Sequence, residues 1–378
     1  MSVVNSTPKQ IRRGLPDQVG VYMMKQSLIS YLMIVATITP YMSMAASVRE
    51  IAPHDGPVSI LIYDSQGRLF SGGWDGTIKQ WGKSITSTVS AVQVPKGRVT
   101  AIAVCAKEGF LVAASSDDWL HRYDIVTGNL IGHLELKKRS GIRSLAMSED
   151  CSQMYSGSSD ETLRHWRVAD GSIASRDQPL DGGTVRFIIR NPVIPGLFAL
   201  GTKTGGVMLW SPDLSKKPVP LKRAGSNRVV ALAWRTDGSR LAAAYADQEI
   251  ALWDPNTRTL IGEIKQVHQD EIKALAFALG GTMLLSADLD GSVHAHRLDA
   301  ITSSCKVQDI PASSGLLSLA VHPDGRTVVA GTLLGEIRQW RLPEHAEQLP
   351  CVWLSQSSPA ELRRAGGTGA KRRSPTIK

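Results

Sequence analysis

The chain has 378 residues, 42% hydrophobic and 20% charged, which suits a soluble globular protein and leaves room for one large or two medium domains. The formal charge of +9 belongs to the two ends: Lys9, Arg12, Arg13 and Lys25 against Asp17 leave +3 in residues 1–45, and Arg363, Arg364, Lys371, Arg372, Arg373 and Lys378 leave +6 in residues 362–378. The body between them is neutral overall, which removes the charge argument for a body that binds nucleic acid through a basic face.

Residues 26–48 carry no charge, and Leu28 to Ile38 (LISYLMIVATI) is almost wholly apolar before Pro40 and the small residues MSMAAS. Three readings of residues 1–45 stay open. One is a secretory signal or anchor, with Ser43 and Ala45 at small-residue cleavage positions. Another is an organelle presequence, rich in Ser and poor in acid. The third is a dispensable extension, with translation starting at Met42 or Met44. The apolar run is short against the ~20 residues of a spanning helix, so membrane association rests on residues 26–48 alone.

Next comes LFSGGWDGTIKQW, Leu69 to Trp81. Asp75-Gly76 is a strong hairpin signal, because a tight primed turn needs positive φ. A lone hairpin is marginal in water, and this one has six relatives. They end at Tyr123, Trp166, Trp210, Trp253, His296 and Trp340, at successive spacings of 42, 43, 44, 43, 43 and 44 residues. About 24 residues before each aromatic position a β-rich run begins, at Val58, Val99, Ile142, Val185, Val229, Ile272 and Leu316. A glycine turn follows in six copies, and Cys151-Ser152 replaces it in the third. Most copies close with a short β-run such as NLIGHLEL or TLIGEIKQ. Four strands per unit, with no room for an ordinary helix, predict an all-β repeat protein.

The repeats resemble the WD-repeat family: a core strand, a Ser-Gly-x-x-Asp-Gly hairpin, and a closing Trp-Asp that survives as Trp253-Asp254 and Tyr123-Asp124. The resemblance covers residues 46–355 and implies a seven-bladed β-propeller of four-stranded antiparallel blades. It also implies a structural tetrad in the first copy, His54, Ser71, Asp75 and Trp81. The set looks like a Ser-His-Asp triad, but the family keeps it inside the blade as a turn lock, so no catalytic role is expected. The turn acid recurs at Asp117, Asp160, Asp247 and Asp290, whereas Thr204 and Leu334 replace it in the fourth and seventh copies. Those two blades are expected to rely on apolar packing and to be the softer ones. His268 can serve the sixth. Ring closure needs an outer strand for the seventh blade; Ala46 to Ile51 (ASVREI) is the favoured candidate over Cys351 to Gln356 (CVWLSQ).

No Walker loop, dinucleotide fingerprint or zinc motif is present, so no enzyme activity, cofactor or metal is expected. Cys105, Cys151, Cys305 and Cys351 are scattered and predicted to be reduced and buried, a disulfide being expected only on export. The family resemblance implies a scaffold for protein–protein interaction through the top face of the propeller, monomeric within a larger complex. Residues flanking the inner-strand starts, Arg98, Arg143, Arg186, Arg228 and Lys273, are candidates for a positive arc that takes an acidic or phosphorylated peptide. Trp74 and Tyr245, at or near hairpin turns, are candidate anchors. The tail, residues 356–378, is expected to be disordered; its Lys371-Arg372-Arg373 cluster is the only expected contact to nucleic acid, in an RNA- or ribonucleoprotein-associated alternative. A cytoplasmic or nuclear location is favoured, with a secretory, anchored or organellar one if the N-terminal segment is a real signal.

Overall fold

The computed structural model describes residues 49–355, apart from 52–53, 83–84, 86–87, 96, 136–140, 170–177, 181–182, 213–216, 226, 299–302, 310–314, 346–348 and 350–353. The chain divides after Ala45. The N-terminal extension, its apolar segment and the basic tail all lie outside the described residues. Among the described residues no helix is long and apolar enough to cross a membrane.

Seven antiparallel sheets follow one another along the chain. Their inner strands are Val58–Tyr63, Val99–Cys105, Ile142–Met147, Val185–Arg190, Val229–Trp234, Ile272–Ala278 and Leu316–Val321. Each is followed by a second strand and by a third that ends at or next to the recurrent aromatic position. Seven apolar clusters hold the sheets together, and each spans two neighbouring blades. Phe70 and Ile78 of blade one pack with Leu111 and Tyr123 of blade two. At the other end of the chain, Val58 and Trp81 of blade one pack with Val329 and Ile337 of blade seven. Seven sheets joined by seven such seams form a closed ring, which is why no blade needs to keep both of its faces dry alone.

The ring is latched by its N-terminal strand. Arg49–Ile51 pairs antiparallel with the third strand of blade seven, Ile337–Arg341, in the register Arg49↔Gln339 to Ile51↔Ile337. The competing C-terminal segment goes elsewhere: Leu354–Ser355 pairs with Ser303–Asp309 as a fifth strand of blade six.

The expectation of four reduced thiols needs correction. Cys105 and Cys151 form a disulfide that staples blade two to blade three. Cys151 occupies the turn position held by Gly67, Gly238 and Gly325, and like them it has positive φ, +60°. That turn brings its side chain against the end of the preceding blade's inner strand, where Cys105 stands. The Cys305 and Cys351 side chains lie outside the described residues.

Candidate functional site

One backbone bond repeats in every blade and defines one end of the ring. The residue at the tip of the hairpin between the second and third strands donates its N–H to the carbonyl just before the inner strand. The pairs are Trp74 to Pro57, Ser116 to Arg98, Ser159 to Gly141, Lys203 to Thr184, Ala246 to Arg228, Leu289 to Glu271 and Leu333 to Gly315. Inner-strand starts and hairpin tips therefore share one face, the mouth. A β-bulge falls at the same place in all seven inner strands. Bulges re-aim the unpaired side chain, and the bulged residues include Arg143, Arg186 and Lys273.

The candidate basic residues thus lie on one face, in different states. Arg98 is exposed, with its guanidinium stacked over the Trp74 ring at 4.7 Å. Exposed Arg143 donates Nε–H to Ser159 Oγ at 2.7 Å. Arg228 and Lys273 share one carboxylate, Glu271, at 2.5 and 2.7 Å. Arg186 is half-buried, and its Nε lacks a hydrogen-bond partner among the described residues. Burial, then the charges of Arg228 and Arg143, hold its guanidinium below the usual arginine range. At blades seven and one the rim is apolar: Leu333 and Leu334 of blade seven and Trp74 of blade one are 38%, 56% and 47% exposed. The two blades meet where the His54 N–H donates to the Gly335 carbonyl.

Tyr245 must be removed from the candidate anchors. It is 1% exposed and lies under Arg223, whose guanidinium is 4.1 Å from the ring centroid. Its place in the repeat is the end of a second strand, Leu241–Tyr245, two residues before the turn acid Asp247, where side chains point into the blade. Trp234 donates Nε1–H to the Ile189 carbonyl of the neighbouring blade and so serves inter-blade packing.

The four tetrad residues form a continuous relay in blade one. Asp75 accepts from His54 Nδ1 at 3.0 Å, Ser71 Oγ lies 2.7 Å from His54 Nε2, and Trp81 donates Nε1–H to Ser71 Oγ at 2.9 Å. Since Asp75 takes the Nδ1 proton, Nε2 is an acceptor and Ser71 donates to it. Burial lowers the His54 pKa against the pull of Asp75. Burial alone would raise the Asp75 pKa, but the Thr77 N–H and hydroxyl, with His54, outweigh it and hold the carboxyl low. Ser71 is wholly buried, with its hydroxyl engaged on both sides. The set locks a turn.

Other blades keep the lock with residues that the repeat pattern did not single out. In blade three, buried Arg164 reaches Asp160 at 2.6 Å and Ser158 at 3.1 Å in place of a histidine. In blade six the acid on His268 is Asp288, not Asp290. In blades four and seven, buried Thr202 and Thr332 accept from turn N–H groups of Gly206 and of Leu334 and Glu336. The readable signal was the residue two before the turn-acid position: Gly73 in blade one, but Thr202, Asp288 and Thr332 here. Among the described residues no group of three or more His, Cys, Asp or Glu is arranged to hold a metal ion.

Comparison with known proteins agrees with this geometry. The family described as WD domain, G-beta repeat matches residues 46–82 and 126–167, and the Vps8 beta-propeller family matches residues 173–323. The chain carries WD repeats and folds as a seven-bladed β-propeller. Among WD-repeat relatives, the target of rapamycin complex subunit wat1 of Schizosaccharomyces pombe is 27% identical over 51% of this chain and 60% of its own length. Human Striatin-4 is 22% identical over 71% of this chain and 39% of its own. Autophagy-related protein 16 of Arabidopsis thaliana is 19% identical over 82% of this chain and 52% of its own. The chain spans about half the length of the curated relatives it matches.

Proposed function

We propose that this WD-repeat propeller is a non-catalytic scaffold, a monomeric subunit of a multiprotein complex, whose mouth face docks an acidic segment of a protein partner. The observation that carries the reading is the placement of Arg98, Arg143, Arg186, Arg228 and Lys273 on one face, with Glu271 the one carboxylate paired within the set among the described residues. Charge complementarity of this kind supplies association rate and selectivity. Trp74, half-exposed and backed by Arg98, offers an aromatic anchor at the rim. A relative named as a complex subunit fits the same role. Affinity purification with mass spectrometry tests it: Trp74→Ala and Arg143→Glu are expected to lose the same partner, and unchanged partner lists for both would end the reading.

For location, the Cys105–Cys151 disulfide favours the alternative of an exported protein, because such bonds persist in oxidising compartments. Alkylating free thiols in freshly lysed cells distinguishes the two: Cys105 protected from the reagent supports export, and Cys105 modified in full supports a cytoplasmic or nuclear scaffold.

A further inference from the structure

The basic half of the mouth is not uniformly unneutralised. Arg228 and Lys273 already hold a carboxylate in Glu271. Arg143 and Arg186 have no carboxylate partner among the described residues, and they are the same bulge residue of two neighbouring blades. Their inner strands are joined directly beneath them: the Ile188 N–H donates to Ser144 Oγ at 3.0 Å, and the Ser144 hydroxyl donates to the Ile188 carbonyl at 3.3 Å. The Nε atoms of Arg186 and Arg228 are buried and have no hydrogen-bond partner among the described residues, so only the outer ends of these guanidinium groups can meet a ligand. The position therefore carries two positive charges without a carboxylate among the described residues, beside a third that is held by an internal acid.

Resting on the docking reading above, we propose that Arg143, Arg186 and Arg228 form a receptor for a phosphoryl group on the partner's polypeptide. A carboxylate brings one charge and two oxygens in a plane. A phosphoryl group brings about −1.5 to −2 charges and three strong acceptor oxygens, which matches both open guanidinium groups and reaches the third. Glu271 sets the selectivity: it already satisfies Arg228 and Lys273 as a monoanion would, so a second monoanion gains little there and a dianion gains more. The three arginines stand on consecutive blades, three to five, whereas the apolar rim of Trp74, Leu333 and Leu334 belongs to blades one and seven, across the ring. A cluster confined to three neighbouring blades suits a single phosphorylated residue. A nucleic-acid backbone would need a longer track of charge.

The test uses the full chain and degenerate peptide arrays with a fixed phosphoserine, with serine, or with glutamate at that position. Binding to the phosphoserine array is expected to exceed binding to the serine array by about tenfold or more, with glutamate much closer to serine. Arg186→Lys, which keeps the charge but loses the planar fork, is expected to remove most of that preference. Glu271→Gln is expected to tighten binding to the phosphoserine array and to narrow the gap between phosphoserine and glutamate. Should Arg186→Lys fail to fold, the Glu271→Gln result alone decides. Equal binding to the phosphoserine and serine arrays overturns the proposal. So does a single-stranded RNA oligonucleotide that binds as tightly as the phosphoserine array and is weakened equally by the same variants. A partner captured from phosphatase-treated lysate as well as from untreated lysate, yet lost with Arg143→Glu, leaves the docking face standing and the phosphoryl receptor refuted.

Discussion

Asp288 reaches His268 from the place that Gly73 leaves empty in blade one: the Asp288 carboxylate lies 2.5 Å from His268 Nδ1, whereas a Cβ added to Gly73 would fall 2.5 Å from His54 Nδ1. The histidine is therefore held by the same nitrogen in both blades, through acids two positions apart. The relay then continues alike. Ser286 Oγ lies 2.6 Å from His268 Nε2 and 2.7 Å from His296 Nε2, so His296 takes the donor place of Trp81.

That substitution makes blade six sensitive to acid. His296 is fully buried, its Nδ1 has no partner among the described residues, and its pKa lies well below the ordinary 6.5, from burial first and then from His268 and His294. Above about pH 6.5 folded and unfolded states both hold this imidazole neutral. Below it, and above the depressed folded value, only the unfolded chain takes up the proton, so stability falls as pH drops through that window, by up to about 1.4 kcal/mol per pH unit for each such group. His54, His121 and His165 are lowered in the same direction, chiefly by burial. Asp288, raised by burial, works oppositely, but in the carboxylate range from 3.8 upward. Melting temperatures between pH 8 and pH 5 should fall less steeply for His296→Gln than for the native chain; parallel curves would refute the assignment.

The inter-blade staple should be separable from the turn that carries it. Reducing Cys105–Cys151, which spans 46 residues, should cost about 2–4 kcal/mol in urea unfolding. Cys151→Gly should cost less than Cys105→Ala by about 1–2 kcal/mol, because glycine accepts the +60° φ that a β-carbon resists. Equal losses for the two variants would show that the turn stores no backbone strain.

Blades four and seven were expected to be soft for want of a turn acid, yet Thr202 and Thr332 are fully buried and bonded to their turns. Thr202→Val and Thr332→Val should each destabilise by about 1–2 kcal/mol and speed amide exchange at Gly206 and Glu336 selectively. Exchange that does not change would return these blades to a purely apolar account.

Arg223 supports Tyr245 from above and binds Glu249 and, at 2.7 Å, Glu263; its side chain is only 4% exposed. Arg223→Ala should cost about 3 kcal/mol, since it strands partly buried carboxylates. Tyr245→Phe should leave partner capture intact. Loss of capture with a normal melting temperature would put Tyr245 back among the anchors.

Much of this molecule was legible because its repeats are spaced by backbone requirements. Val58 and its six counterparts, the turn glycines and the closing aromatics mark strand starts, reversals and seams, and those positions obey the same sterics in every blade. That Arg98, Arg143, Arg186, Arg228 and Lys273 share one face was legible for the same reason, since they flank aligned strand starts. Side-chain direction was less legible. Tyr245 shares a strand end with Ser115 and Asp288, and such positions face into the sheet. Asp288 escaped notice because spacing alone assigns the turn acid to Asp290. The Cys105–Cys151 bond escaped because its partners are near only once two blades stand side by side.

Arg49–Ile51 pairs with Ile337–Arg341, so the earliest described strand to leave the ribosome must wait for nearly the whole chain before it finds its place. Until then, blade seven's partner travels with an unmatched edge, and any row of blades not yet closed exposes two raw flanks. Helper proteins that shield nascent chains would have their greatest influence here, and a defect confined to this short segment would be felt as poor yield during synthesis before any loss of binding.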